Sequence, residues 1–492
     1  MISVRYIILG AGPAGLSVAN ALLDAGEDSF VVIEKENEAG GLCRSAEVDG
    51  APLDMGGGHF LDTRPTDVVE YLFRFMPRAE WNRFDRNSRI RIHGTEMDYP
   101  FEANLWQLPI DMQVDYLESI ARAGCITGEP MPEKFSDWIR WKLGDRIAED
   151  YMLPYNRKIW SVDLDRLGTY WLHKLPNVSF RDTLRSCLER KRAGKMPAHV
   201  EFYYPKKFGY GEVWRRMGER LRDKLRLGEP VQTIDLSTRT VNDAYQAKQI
   251  VSTIPWTEYL TAAELPEDVK KDIESLEYAS IDVGYHPESN NGDPQWIYIP
   301  DETLPHHRLL NRYTFCAGSR GYWTERNVKR SDERRTADHA DHAGLSRSGQ
   351  GAGGGGMLNA QGSMLNAQCS MLNAQGKGGA SGKPGTRPSE GQRPTHRIGS
   401  EAANPEPVEP RTKNQEPRTT NHEPRTTNQE PWNHINQYAY PLNLIGKPEA
   451  VARILEWGRA MGIIGLGRWG EWEHMNSDVA VAKGIALAKE LT

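Results

Sequence analysis

Over the first 34 residues the apolar positions change period twice. "VRYIIL" is a short apolar run, "GAGPAG" a glycine turn, "LSVANALLDAG" an apolar set at helical spacing, and "SFVVIE" a second run. That order predicts strand, helix and strand in a βαβ unit. From Trp106 to Leu188 helical spacing dominates, with several tryptophans. Between Val231 and Tyr285 strand-like runs return as "VQTIDL", "QIVSTI" and "ASIDVGY". The tail from Lys447 to Leu491 predicts two helices separated by a glycine-rich stretch.

One region carries no apolar period. From about Val328 to Pro431, "MLNAQ" recurs at Met357, Met364 and Met371. "NQEPRTT", "NHEPRTT" and "NQEPW" then begin at Asn414, Asn421 and Asn428. The seven-residue spacing is not a coiled coil, because each later unit carries a proline and paired apolar positions are missing. Gly, Pro, Asn, Arg and Glu leave too little apolar area to offset chain ordering. The expectation for 328–431 is a disordered insertion built by expansion of a short unit, with an interaction arm as the alternative.

The 492 residues suit two to four domains. A net charge of −6 gives nothing that points to nucleic acid as a bulk electrostatic partner. The five cysteines are scattered without a CxxC pair, which fits a reducing cytoplasm. The N-terminal apolar run leads straight into glycines and has no cleavage site, so no signal peptide is expected. No run is long enough for a membrane-spanning helix. His306 and His307 lack companion carboxylates or cysteines, so no metal site is expected.

Gly10, Gly12 and Gly15 stand in G-x-G-x-x-G spacing between a strand and a helix. Gly10 permits the tight turn, Gly12 lets backbone N–H groups approach a pyrophosphate, and Gly15 lets helix and strand pack closely. The helix start supplies partial positive charge. Glu34 closes the next strand, where a carboxylate accepts from ribose hydroxyls. These residues imply a dinucleotide site; the motif alone leaves FAD and NAD open.

Further segments bear on that choice. "EAGGLCRS" places Gly40, Gly41 and Arg44 after the second strand, and "DMGGGHF" places Gly57 and Gly58 before His59. In the tail, "GLGRWGEWEHMNSDVAVAKG" brings Gly467 ahead of Asn476, Ser477 and Asp478, which suit the start of a helix near Val479. In these segments the chain resembles the FAD-binding superfamily that holds amine oxidases, protoporphyrinogen oxidase and UDP-galactopyranose mutase. The resemblance implies that Gly40, Gly41 and Arg44 contact the FAD diphosphate region. It also implies that Gly57, Gly58 and His59 run beside the isoalloxazine, and that the tail segment holds negative charge near its pyrimidine ring.

Within that superfamily the segments beyond the glycines resemble the mutases. "YPFEANL" offers Tyr99 and Asn104, "YNRKIWS" offers Tyr155, Asn156, Arg157 and Trp160, "HHRLLNR" offers Arg308, and "YAYPLN" offers Tyr440. The resemblance implies a substrate diphosphate held by Arg157 and Arg308, with Tyr440 on the same group and aromatic faces for base and sugar. Planar guanidinium groups bind phosphate oxygens bidentately, so two arginines from separate elements suit such a clamp. Glu102 departs from the mutase pattern and would set a carboxylate near an anionic substrate.

The expected fold is α/β: a Rossmann-like FAD-binding domain with a mixed-sheet substrate domain, a helical subdomain and the long insertion. The expected division is 1–98 for the first FAD-binding part, 99–200 helical, 201–327 sheet-containing, 328–431 inserted, and 432–492 the C-terminal FAD-binding segment. The implied activity is a mutase acting through reduced FAD on a UDP-sugar in cell-surface polysaccharide synthesis, with NAD(P)H as reductant and no side-chain nucleophile. Two alternatives stay open: an oxidoreductase acting on an amine, a porphyrinogen or a lipid-linked intermediate, and a non-catalytic flavin-binding protein.

Overall fold

Strand Ile2–Leu9, helix Pro13–Asp24 and strand Phe30–Ile33 form the βαβ unit that the hydrophobic period predicts. The computed structural model describes residues 1–172, 178–193, 200–288, 294–316, 318–328 and 432–492. The expected insertion, 328–431, lies outside the described residues except for Val328. Strands Ile2–Leu9 and Phe30–Ile33 pair in parallel, and Tyr245–Ser252 pairs in parallel on the other side of the first strand. Leu225–Arg226 and Ile463–Gly465 extend this parallel core, while Ile234–Asp235 and Thr240–Val241 add antiparallel strands. The inner halves of the first two strands are buried throughout. A parallel strand covered on both faces must be apolar at every position, which is why these segments read as runs and not as alternations.

The two ends of the chain meet at this sheet. Helix Ser477–Leu491 lies against Pro13–Asp24, and a Cβ on Gly484 would stand 2.9 Å from the Ala14 carbonyl oxygen. Glycine therefore allows the two helix backbones to approach closely. Tyr6 donates from its hydroxyl to the Leu491 carbonyl at 2.7 Å.

A second sheet runs in the order Asn433–Pro441, Tyr278–His286, Tyr322–Val328, Arg308–Asn311, Trp296–Tyr298, Ser88–Ile92, Thr95–Asp98. It is antiparallel except between Trp296–Tyr298 and Ser88–Ile92. The hairpin Ser88–Asp98 thus belongs to this second sheet, although it lies within the stretch expected to be the first FAD-binding part. Its pairing with a strand two hundred positions on is long-range and leaves no local mark. The helical subdomain holds Ile110–Ala121, Phe135–Ile147, Leu153–Trp160 and Phe180–Glu189. One extended hydrophobic core joins it to the second sheet and to the first helix.

Candidate active site

Strands Ile2–Leu9, Phe30–Ile33 and Tyr245–Ser252 end beside a cavity of about 570 Å³. Doubly wound sheets hold ligands at this carboxyl edge. Gly10, Gly12, Glu34, Gly41, Arg44, Gly58, His59, Asn476 and Ser477 all line it, so residues from both ends of the chain face one space.

The glycines divide by role. A Cβ on Gly15 would stand 2.0 Å from the Gly10 carbonyl oxygen, so Gly15 is fixed by helix-to-turn packing. A Cβ on Gly12 would meet nothing within 4 Å; it would project into the space at the helix start. Helix Pro13–Asp24 has no side-chain cap and no acid in its first turn. Its free N–H groups and dipole thus point at a site suited to a diphosphate. Gly40 and Gly41 carry the next turn across this one, with the Gly41 Cβ position 3.2 Å from Gly12 Cα. Glu34 accepts from the Ala11 amide at 2.7 Å and the Glu36 amide at 3.0 Å, which ties the glycine turn to the second strand. Arg44 pairs with Glu36 at 3.0 Å.

Farther along the cavity stands the loop Gly57–His59. Gly57 has φ +91°, a left-handed conformation that favours glycine. His59 donates from Nδ1 to the Gly57 carbonyl at 2.9 Å, so its Nε2 is the acceptor nitrogen. Burial first, then the charges of Arg468 and Arg308, push the His59 pKa down to about 3 and keep the ring neutral. At the tail, Ser477 shares a 2.8 Å hydrogen bond with the Tyr210 hydroxyl, and Asn476 stands at the N-cap position without a side-chain cap bond. Burial, with Asp62 nearby, raises Asp478 to about 6. Gly467 abuts helix Pro13–Asp24, its Cβ position 2.6 Å from Ala14 Cβ.

The two arginines expected to act together each meet a carboxylate of their own. Arg308 is buried, 1 % exposed, and its Nε donates to Glu325 behind the Gly57–Gly58 loop. Among the described residues its Nη2 has no hydrogen-bond partner. Arg157 is half exposed and pairs with Glu302 at 3.0 Å, on the outer side of its helix. A helix turn of 100° per residue sets Tyr155 and Arg157 about 200° apart, so one faces inward and the other outward. Asn156 and Trp160 are both fully buried, Trp160 Nε1 donates to Asn156 Oδ1 at 3.1 Å, and Asn156 Nδ2 donates to the Met152 carbonyl. Asn104 is buried and donates to the Pro100 carbonyl at 2.9 Å. Asn104 Oδ1 is buried and makes no hydrogen bond among the described residues. Tyr155 packs edge-on to Tyr298 at 6.0 Å and His307 at 6.2 Å, and Tyr99 lies 4.9 Å from Tyr298. Tyr440 lies under the Arg468 guanidinium at 5.3 Å. Glu102 lines a separate cavity in the helical subdomain with Trp141 and Lys142, which removes the expected conflict with an anion.

Two residues at the site escaped the reading of the sequence. Arg468 lines the cavity and donates to the carbonyls of Ala439 and Met475, and among the described residues no carboxylate pairs with it. Its signal was a cation inside "GLGRWG". Thr253 lines the cavity just past strand Tyr245–Ser252, where the parallel pairing delivers the end of that strand.

The chain has structural likeness to reduced UDP-galactopyranose mutase, at TM-score 0.72 and 20% identity over 100% of this chain and 94% of the other. It is similar in fold to a putative protoporphyrinogen oxidase from Exiguobacterium sp. 255-15, at TM-score 0.62 and 13% identity over 99% and 98% of the two chains. In sequence it is 24% identical over 300 residues to flavin-containing amine oxidase A of Canis lupus familiaris, covering 56% of this chain and 54% of that protein. A 53-residue stretch is 42% identical to an uncharacterized protein in the nifH2 3'region of Methanothermococcus thermolithotrophicus, covering 11% of this chain and 50% of that protein. The chain spans about half the length of these curated relatives. FAD is the cofactor indicated, and the uncapped helix start, the open Gly12 position and the cavity fit it. The model of the flavin containing amine oxidoreductase family matches residues 13–286, more than half of the 492 positions, and the chain belongs to that family.

Proposed function

We propose that this flavoenzyme rearranges a nucleotide sugar, most simply a UDP-sugar, as a mutase working with reduced FAD. NAD(P)H is the proposed reductant and the cytoplasm the proposed compartment; Cys43, Cys125, Cys187 and Cys316 are unpaired thiols. The observation that carries the reading is the Nη2 of buried Arg308, unpartnered among the described residues and close to Tyr155, Tyr298 and Tyr440. An unsatisfied buried guanidinium N–H is costly and is relieved by an anionic oxygen. Arg468 supplies a second cation in electrostatic reach of the same His59. The likeness to reduced UDP-galactopyranose mutase over the full chain supports the same reading.

Bound flavin supplies the bond-making chemistry. The chain's residues bind the diphosphate, orient the sugar and hold an acceptor nitrogen at His59. A second reading, oxidation of an amine or a porphyrinogen, is favoured by one observation: Glu325 cancels the charge of Arg308, so that wall carries no net charge. The test uses dithionite-reduced holoprotein with UDP-galactopyranose and chromatographic detection of UDP-galactofuranose. Conversion supports the proposal. Neither conversion nor binding of any UDP-sugar removes it, and oxygen consumption with amines or porphyrinogen installs the second reading.

A further inference from the structure

Glu325 is fully buried on strand Tyr322–Val328, on the same face as Trp323. Its Oε1 accepts from the Gly58 amide at 2.8 Å and from Trp323 Nε1 at 3.1 Å, and its Oε2 accepts from Arg308 Nε. A Cβ on Gly57 would stand 2.6 Å from that Oε1, so the loop approaches the carboxylate as closely as glycine allows. One side chain thus holds the loop that presents His59 and the cation behind it. The surrounding wall is otherwise apolar and aromatic: Ile281, Leu310 and Trp296 pack against the same two glycines. A buried ion pair is often matched or exceeded in stability by apolar residues of the same volume. Its presence directly behind a cofactor loop therefore points to electrostatics and not to packing.

We propose that Glu325 is a positioning residue that fixes the Gly57–His59 loop to Arg308 and, by cancelling that cation, sets the redox poise of the bound flavin. Reduction places negative charge on the flavin. An uncancelled Arg308 would favour that form, and an uncancelled Glu325 would oppose it. The proposal rests on FAD binding alone, so it stands or falls separately from the nucleotide-sugar reading.

The test is the midpoint potential of the holoprotein, measured by dye-equilibrated reduction without substrate. Glu325→Gln keeps the shape and exposes the Arg308 charge. It is expected to raise the reduced-to-oxidised ratio on the order of tenfold at fixed potential, about 30 mV upward for a two-electron couple. Arg308→Leu exposes the carboxylate and is expected to shift the potential downward by a similar ratio. Arg308→Leu with Glu325→Leu removes both charges and is expected to return within about threefold of the parent ratio. Opposite shifts in the single variants, or in whichever one yields holoprotein, with recovery in the pair, support the proposal. Single variants that keep the parent potential while losing thermal stability assign Glu325 a packing role and overturn it, as does a pair that shifts as far as a single variant.

Discussion

Tyr155 and Arg157, two residues apart on helix Leu153–Trp160, face opposite environments. Tyr155 is buried with its ring 6.2 Å from His307, while Arg157 is half exposed and bonded to Glu302. The helix is a seam: its inner face closes the tyrosine cluster around Arg308, and its outer cations fasten it to the loop that comes after Ile299. Lys158 completes the fastening by donating from Nζ to the Ile299 carbonyl at 2.9 Å. Burial pulls the Lys158 pKa down to about 8, against the pull of Asp301 and Glu302.

The two arginines should therefore separate in mutagenesis. Arg157→Ala removes an exposed pair, for which a loss of about 0–1 kcal/mol is expected, with UDP affinity changed by less than about threefold, within that same surface range. Arg308→Ala leaves Glu325 buried and unpaired and should cost about 3–5 kcal/mol. Chemical unfolding and UDP titration of both variants check this. Equal losses of UDP affinity would restore Arg157 to the site.

Gly12 and Gly15 should separate as well, in the other direction. Gly12→Ala places its methyl in open space, so the apoprotein should keep its thermal stability while visible flavin absorbance per mole falls. Gly15→Ala drives a methyl into the Gly10 carbonyl and should destabilise the apoprotein itself. A Gly12→Ala protein that retains full FAD would place the diphosphate away from this helix start.

The contrast between these pairs shows what sequence reading reaches. The flavin half was legible because its signals are local: glycine spacing, strand–helix–strand order and an acid at the end of a strand answer to short-range geometry. The tail's place at the cavity was legible because its glycines and its Asn-Ser-Asp run precede a helix in one segment. The expected substrate residues were less so, because an arginine's meaning depends on its counter-ion. Glu302 and Glu325 reach Arg157 and Arg308 only after the second sheet has formed. Arg308 and Arg157 look alike as "HHRLL" and "YNRKI", and burial alone tells them apart. Asn156 and Trp160 carry binding-type chemistry, and the structure pairs it with neighbours one helical turn away.

His59 predicts a pH dependence of stability. Its folded pKa of about 3 lies below an unfolded value of about 6.5. Within that window the unfolded chain binds a proton that the native chain refuses, so stability falls as pH falls, by about 1.4 kcal/mol per unit for one proton. His307, also buried and also depressed, acts in the same direction. Urea unfolding at pH 7 and pH 5 should show His59→Gln losing about 2 kcal/mol less than the parent over that interval. Identical losses would mean that His59 takes up its proton in the folded state.

Strands Tyr322–Val328 and Asn433–Pro441 flank Tyr278–His286 on either side, with Val328 opposite Ser280 and Asn433 opposite Gly284. Their ends are thus two strand spacings apart, about 10 Å, and offset by four residues, about 13 Å, a span of roughly 16 Å. A glycine–serine linker of about eight residues matches that span. Replacing 329–431 with such a linker should preserve both pairings, because the register contacts of the two strands among the described residues all lie outside the exchanged stretch. FAD content per mole and melting temperature are the readouts, with the full chain as reference. Unchanged flavin content would show that the cofactor site is built without residues 329–431. Loss of flavin from a soluble, folded product would show that they contribute to it, and would favour the interaction-arm reading of the repeats over passive expansion.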